Sequence, residues 1–503
     1  MSTTALQTTT EGAKDSKPHS RPLWTRLFQA VLALLIGLVG SWLVPLVLGE
    51  EFLVRQIARA YAPLVGTLQG TARRDAISVL VIDDQSLQRA GQSWPADYGY
   101  YARLIDSLGA NRPKAIFIDV MFAAKRNDPS IARLIDSACK ASASGVRIYL
   151  ATRRDADGRF LLRPDLEAVS PRCVHKVAVE YEPDQADQTA WSYRLGSGSG
   201  AHGSPLSAAN AIYVDLGGAL PATLHSDVAL NWGLASASRG LEWLQSTAPD
   251  ASHHGGHQDS PAAPTSYCRE ANGSAADLLP ASIHRLFDPE AEKPVCVFHN
   301  TLYPADLATS SDEEDQELKA QVEGRVIMIG TALQGSNDRV ISPLHGRIPG
   351  VYLHAMALDN LLFYGKDFKR ATHASLNPDG LRVWFLVLVG LLIVGFARMV
   401  REKRAMRVAQ ASNDKPGADA STTKAPWKRK PREALLWIAR KAASVSINLL
   451  FITGMLFIGQ KLLNLGFLAV IDVALFAFAA EWLEWNESLW NWLTDTPAPA
   501  HHH

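Results

Sequence analysis

Four places in the chain gather side chains that could do chemistry, and three of them follow short apolar runs. Asp83, Asp84 and Ser86 come after Ile77-Ser-Val-Leu-Val-Ile82, Asp119 after Ala115-Ile-Phe-Ile118, and Thr331 and Asp338 after Val326-Ile-Met-Ile-Gly330. Carboxylates and hydroxyls at the ends of buried strands suit the polar contacts of a small ligand, because an open parallel sheet offers its ligand crevice at the carboxyl ends of its strands. The same acids, if close together, could hold a divalent cation for a hydrolase, since hard cations favour carboxylate oxygens. No nucleophile paired with a base accompanies them, so no catalytic residue is assigned. Taken singly, Asp83 and Ser86 also serve as helix caps and Asp119 as a loop anchor. The fourth place, His253-His254-Gly-Gly-His257, lies in a Gly-rich stretch whose spacing fixes no coordination geometry, and it reads as loop. Gly198-Ser-Gly200-Ala-His-Gly203 spells a phosphate-loop pattern but runs into Pro205 instead of a helix. No metal and no cofactor is expected.

The elements that would position these residues alternate. Strands are predicted at Ile77–Asp83, Ala115–Asp119, Val146–Ala151 and Arg325–Gly330, with helix faces at Tyr101, Leu104, Ile105 and Leu108 and over 130–140. Continuous apolar strands joined by amphipathic helices predict an α/β domain with a mainly parallel sheet covered on both faces. Further strands are predicted at Val177–Tyr181, Ala211–Asp215 and Val295–His299, inside a weakly patterned insertion over about 185–320, and a helix over Val351–Phe363. Phe52, Leu53, Ile57, Tyr61 and Leu64 recur at helical spacing and predict a stalk helix.

The 503 residues carry 50 basic and 50 acidic side chains, which gives no reason to expect nucleic acid as a partner. The neutral total hides four apolar runs near the ends. Leu27–Leu48 is 22 residues without a charge, enough to cross a hydrocarbon core of about 30 Å. Three more spans are predicted at 381–398, 442–460 and 462–480, giving one membrane helix before the domain and three after it. The loop over 399–441, with its flanking Arg398, carries thirteen Lys and Arg against four acids, so it is expected on the cytoplasmic side. The tail over 1–26 is then cytoplasmic, residues 50–380 lie outside, and the turn at Lys461 shares the side of the domain. Cys139, Cys173, Cys268 and Cys296 all fall in that outer segment, where disulfides persist. Cys268 with Cys296 is the favoured pair, and Cys139, on an apolar helix face, reads equally well as a buried thiol. Inside the membrane, Asn448 and Asp472 lie at similar depth on either side of Lys461 and are expected to meet each other or another subunit. The stretch over 481–503 carries Trp482, Trp485, Trp490 and Trp492 among acids, a stripe for the inner membrane surface or for docking a cytoplasmic partner.

Ile82-Asp-Asp84, Ser86-Leu87, Gly91, Trp94-Pro95, Pro113-Lys-Ala-Ile116, Asp119 and Phe122 stand in order with Gly324-Arg-Val-Ile-Met-Ile-Gly330-Thr331, Asp338, Ser342-Pro343 and Pro349-Gly-Val-Tyr-Leu-His-Ala355. This ordered set, inside this topology, resembles the CHASE2 family of extracytoplasmic sensor domains. The resemblance adds Trp94 to the candidate ligand contacts Asp83, Asp84, Ser86, Asp119, Thr331 and Asp338. The chain departs from the family pattern where an Arg usually follows Trp-Pro, since Ala96-Asp97-Tyr98 stands there. The resemblance implies a sensor subunit of a bacterial inner membrane, held by lipid. With about twenty residues after the last apolar run, its output is expected to pass to a separate protein partner. A homodimer is a common receptor arrangement. A non-signalling envelope scaffold is the competing expectation, and a metal-dependent periplasmic hydrolase a third.

Overall fold

Strand residues in the centre of the chain alternate between two buried faces, so both sides of the sheet must be covered. The computed structural model describes residues 50–124, 126–196, 205–220, 227–241, 268–274, 276–278, 293–335, 338–372, 380–390 and 453–473. The chain divides into two compact units. Gly49–Val387 with Lys424–Leu475 forms one; Met1–Leu48, Leu388–Thr423 and Phe476–His503 form the other, of which only residues 388–390 are described.

Six strands, β1 (Ile77–Ile82), β2 (Ala115–Ile118), β3 (Arg147–Thr152), β4 (His175–Ala178), β7 (Asn300–Leu302) and β8 (Val326–Thr331), form one sheet in the order β4-β3-β2-β8-β1-β7. Every pairing in it is parallel. Connections β1 to β2, β2 to β3, β3 to β4 and β7 to β8 all step the same way across the sheet. Right-handed crossovers must then put their helices on a single face. That face holds α3 (Tyr98–Ala110), α4 (Ile131–Ala143), α5 (Pro164–Glu167) and α7 (Asp312–Val322), packed on Leu80, Ile82, Ile116, Ile118, Ile148, Leu150, Ile327 and Ile329.

The opposite face presents Ile77, Val79, Val81, Phe117, Tyr149 and Met328 to α8 (Val351–Tyr364) and α6 (Ala208–Asp215). Helix α8 is apolar nearly all round, and its residues from Val351 to Leu361 are all buried, as such a helix requires. It lies close to the sheet because Gly330 has no side chain: a Cβ there would stand 2.4 Å from the Val351 Cβ. Smaller sheets complete the unit, β9 (Arg339–Ser342) with β10 (Gly346–Pro349), and β11 (Arg370–Ala371) with β6 (Asp227–Ala229) and β5 (Ser192–Tyr193).

Several expectations are corrected. Residues 211–215 are helical, not a strand; Ala208, Ala209, Ile212 and Tyr213 bury one helical stripe, which a five-residue apolar window could not distinguish from an extended run. The strand expected at Val295–His299 starts only at Asn300, with Val295 making an isolated bridge to Arg269. The expected insertion therefore ends earlier than residue 320, since β7 is the sheet's edge strand and α7 one of its crossovers. The first helix, α1 (Glu50–Gly66), packs on the domain through Val54, Ala58, Ala62 and Val65, leaving Phe52 and Leu53 exposed. Its small residues permit a closer approach than the larger expected stripe. Arg55 holds Asp184 at 2.9 Å and Arg59 holds Asp187 at 3.1 Å, fixing α1 against the loop before β5. Cys139 is not a free thiol: it joins Cys173, and Cys268 joins Cys296.

Among the described residues no helix is long and apolar enough to cross a membrane. Leu27–Leu48 and 442–452 lie outside the described residues, as do 391–398 and 474–480.

Gly330→Val should lower stability by about 1–3 kcal/mol, because the added side chain overlaps Val351 in a packed core. Thermal melting of the full chain measures this. An unchanged midpoint would show that α8 does not sit this close to β8.

Candidate functional site

At the carboxyl ends of β2, β3, β4 and β8 the loops part to leave a cleft of about 800 Å3. Strand register sets its floor. Ile118 pairs with Ile329 across β2 and β8, and the Asp119 amide donates to the Ile329 carbonyl at 2.8 Å, so Asp119 stands one step beyond the sheet. Thr331, the last residue of β8, donates its hydroxyl to Asp338 Oδ2 at 3.2 Å. Gly350 makes room for that carboxylate, since a Cβ there would lie 2.4 Å from Asp338 Oδ1. From α8, His354 comes up beneath both acids, with Nε2 3.6 Å from Asp119 Oδ2.

The Asp119 side chain is 10 % exposed and accepts no hydrogen bond from any described residue. The separation from His354 is beyond hydrogen-bond reach. Burial pushes the Asp119 carboxyl up to about 7. Asp338 rises to about 6, through burial first and the neighbouring Asp119 second, while His354 and the Thr331 hydroxyl pull it back. His354 is pushed down to about 4 by burial, with Asp338 opposing. The imidazole is thus neutral at pH 7 and does not cancel the acids. Tyr193 holds the ring in place, since its hydroxyl accepts from the Ala209 amide at 3.3 Å and shares a hydrogen bond with His354 Nδ1 at 2.8 Å.

One wall is aromatic. Tyr98, Tyr101 and Phe122 line the cleft, with Tyr101 edge-on to Phe122 at 5.2 Å, and Trp94 at the mouth is 44 % exposed. The rim is basic. Arg154 lies 3.5 Å from Glu180 and Arg194 lies 2.9 Å from Glu182, while the exposed Arg153 has no side-chain partner among the described residues. Arg126 donates to the carbonyls of Pro95 and Ala96 at 3.1 and 3.0 Å and lies 4.4 Å over the Tyr98 ring. A guanidinium from another loop thus reaches the segment after Trp94-Pro95.

Of the residues singled out from sequence, Trp94, Asp119, Thr331 and Asp338 meet in this cleft. Asp83, Asp84 and Ser86 do not. Asp83 caps helix α2 (Asp84–Arg89), accepting from the Ser86 amide at 2.7 Å and from its hydroxyl. Asp84 accepts from the Gln334 amide at 2.8 Å and ties the β8 loop to the β1 loop. These three are supports, as capping chemistry allows. Asp472 is exposed on a helix over 467–473, and Asn448, Trp482, Trp485, Trp490 and Trp492 lie outside the described residues. So do His253, His254 and His257; among the described residues no group of three metal-ligating side chains is placed to hold an ion. His354, Tyr193 and the rim arginines were missed. A histidine four residues into a helix that is otherwise apolar through its first two turns was the available signal.

A parallel sheet with a polar, partly enclosed crevice at its carboxyl edge defines an α/β domain of the class in which open sheets place ligand crevices. Residues 31–397 match the CHASE2 domain, and the chain belongs to that family of sensor domains. No curated protein and no solved structure matches the chain.

The floor has a signature in pH. Asp119 is raised in the folded state, so its contribution is present at low pH and is lost as pH rises from the unfolded value near 4 through about 7. His354 is lowered, so its contribution is lost as pH falls from about 6.5 through about 4. Asp119→Asn should therefore stabilise the protein at pH 8 by at least ~1.4 kcal/mol, with a smaller gain at pH 5. Urea melts at the two pH values measure it, and an equal change at both would place Asp119 in water.

Proposed function

We propose that the chain is a membrane-bound extracytoplasmic sensor subunit whose cleft receives a periplasmic ligand and whose output is carried by a separate protein. Helix α8 is the single observation that carries this reading. It supplies His354 to the cleft floor and, six residues later and so about 9 Å along its axis, Asn360 to a network that reaches the segment between the last two candidate spans. Asn360 Oδ1 accepts from the Asn231 amide at 3.0 Å, and Asn231 Nδ2 donates to Tyr364 Oη at 3.0 Å and to Gln460 Oε1 at 3.4 Å. Lys369 Nζ donates to the Gln460 carbonyl at 2.6 Å and to Asn464 Oδ1 at 2.9 Å. Burial and the nearby Lys461 lower this amine to about 8, against the pull of Asp367. The turn seats on the domain backbone as well, with Arg370 and Asn464, and Gly466 and Arg370, sharing main-chain hydrogen bonds of 3.0 and 2.8 Å.

This contact supports the expected membrane topology, because it requires the turn near Lys461 to lie on the same side as the domain. Exposed apolar side chains support it too. Phe52 and Leu53 follow the first candidate span, and Leu381, Phe385 and Leu388, Phe457 and Leu462 lie within the described ends of the other three. A ligand that moves α8 relative to the sheet would shift the turn by the same rigid element, which is what differential binding needs in order to bias two states.

In the full chain held in lipid nanodiscs, His354→Phe should speed amide exchange several-fold across residues 458–467. In a Gln460→Leu background it should add little. Hydrogen exchange read by mass spectrometry decides this. Faster exchange in α8 with the turn unchanged would disconnect the cleft from the membrane helices. Crosslinking of the same particles in cell membranes would identify the output partner.

A further inference from the structure

The cleft separates its charges by depth. At the floor, Asp119 is nine-tenths buried without a hydrogen-bond donor among the described residues, and Asp338 stands beside it. At the rim, Arg153, Arg154 and Arg194 are exposed; Glu180 and Glu182 share the rim and pair with Arg154 and Arg194, so Arg153 is the rim arginine with no acid against it among the described residues. Between them lies the aromatic wall of Tyr98, Tyr101, Phe122 and Trp94. A buried carboxylate without a donor is costly, and a hydrogen-bonding cation is what removes that cost. A neutral His354 does not supply it. The geometry points to a zwitterionic ligand, an amino acid or short peptide, whose ammonium group sits between Asp119 and Asp338 and whose carboxylate meets the rim at Arg153. A bare divalent ion fits less well, since no three metal-ligating groups converge among the described residues and the aromatic wall would contact nothing. A purely anionic ligand would face two acids, and a plain diamine would leave the rim arginine unused. The volume of about 800 Å3 holds a molecule of this size with room for ordered water.

This inference rests on the cleft being the ligand site. Its test uses the full chain in nanodiscs with alanine, lysine, glutamate and dialanine as probes, beside putrescine, succinate and calcium chloride. At least one of the amino-acid or dipeptide probes should raise the melting midpoint and bind in calorimetry. Asp119→Asn should weaken that binding about tenfold or more, Arg153→Ala should weaken it several-fold, and Arg153→Lys should recover part of the loss. Both variants should retain cooperative melting, which separates lost binding from lost folding. Binding of putrescine alone, succinate alone or calcium alone would overturn the zwitterion while leaving the cleft as the site. Binding of an amino acid undiminished in both variants would also overturn it, by placing the molecule elsewhere. A failure of every probe overturns it as well, and the ligand-free exchange experiment on His354→Phe then decides whether the cleft communicates with the membrane turn.

Discussion

The closeness of α8 to the central sheet is the constraint on which the rest of the molecule turns. Gly330 lets Val351 press against β8, and the next turn of the helix carries His354 to the height of Asp119 and Asp338. A side chain at residue 330 would lift the helix and open the floor. The same seating delivers Asn360 and Tyr364 to Asn231 at the other end. One packing contact therefore sets the depth of the cleft and the position of the Asn231 network together.

The floor depends on desolvation more than on pairing. Tyr193 and the Ala209 amide fix the imidazole, Thr331 fixes Asp338, and Gly350 leaves space for that acid, yet nothing described donates to Asp119. A protein that kept this arrangement only for stability would do better with Asn or Leu at 119, because an unsatisfied buried carboxyl costs folding energy. Strain of this kind concentrates where something else is to be bound.

The sheet was legible in the sequence because β1, β2, β3 and β8 are continuous apolar runs whose ends coincide with Asp83, Asp119 and Thr331. The edges were legible only roughly, since the strand expected at Val177–Tyr181 is β4, two residues earlier, and the one expected at Val295–His299 begins at Asn300. The return path was not, for Ala211-Ile-Tyr-Val-Asp215 has the composition of a strand and becomes a helix through packing on α8. The acids of the site were found because they follow strands, but position alone could not separate Asp83 and Asp84, which bond to neighbouring backbone, from Asp119, which does not. His354 and Arg126 act through tertiary approach from a distant helix and loop, and spacing carries no trace of that. The Cys139 to Cys173 bridge was hidden for the same reason, since a half-buried cysteine on an apolar helix face looks like any small hydrophobe.

Helix α1 is tied to α8 as firmly as the turn near Lys461 is. Gln69, just beyond its end, donates to the buried Asp359, and Tyr364 donates to the Leu68 carbonyl at 3.1 Å. The chain leading from the first candidate span and the turn between the last two thus share one anchor on one helix. Neither can slide along α8 alone without breaking bonds that are shielded from water. The lower end of α8 is in effect a common rail: it suppresses independent jostling of these two segments, and it passes on only those motions in which both travel together.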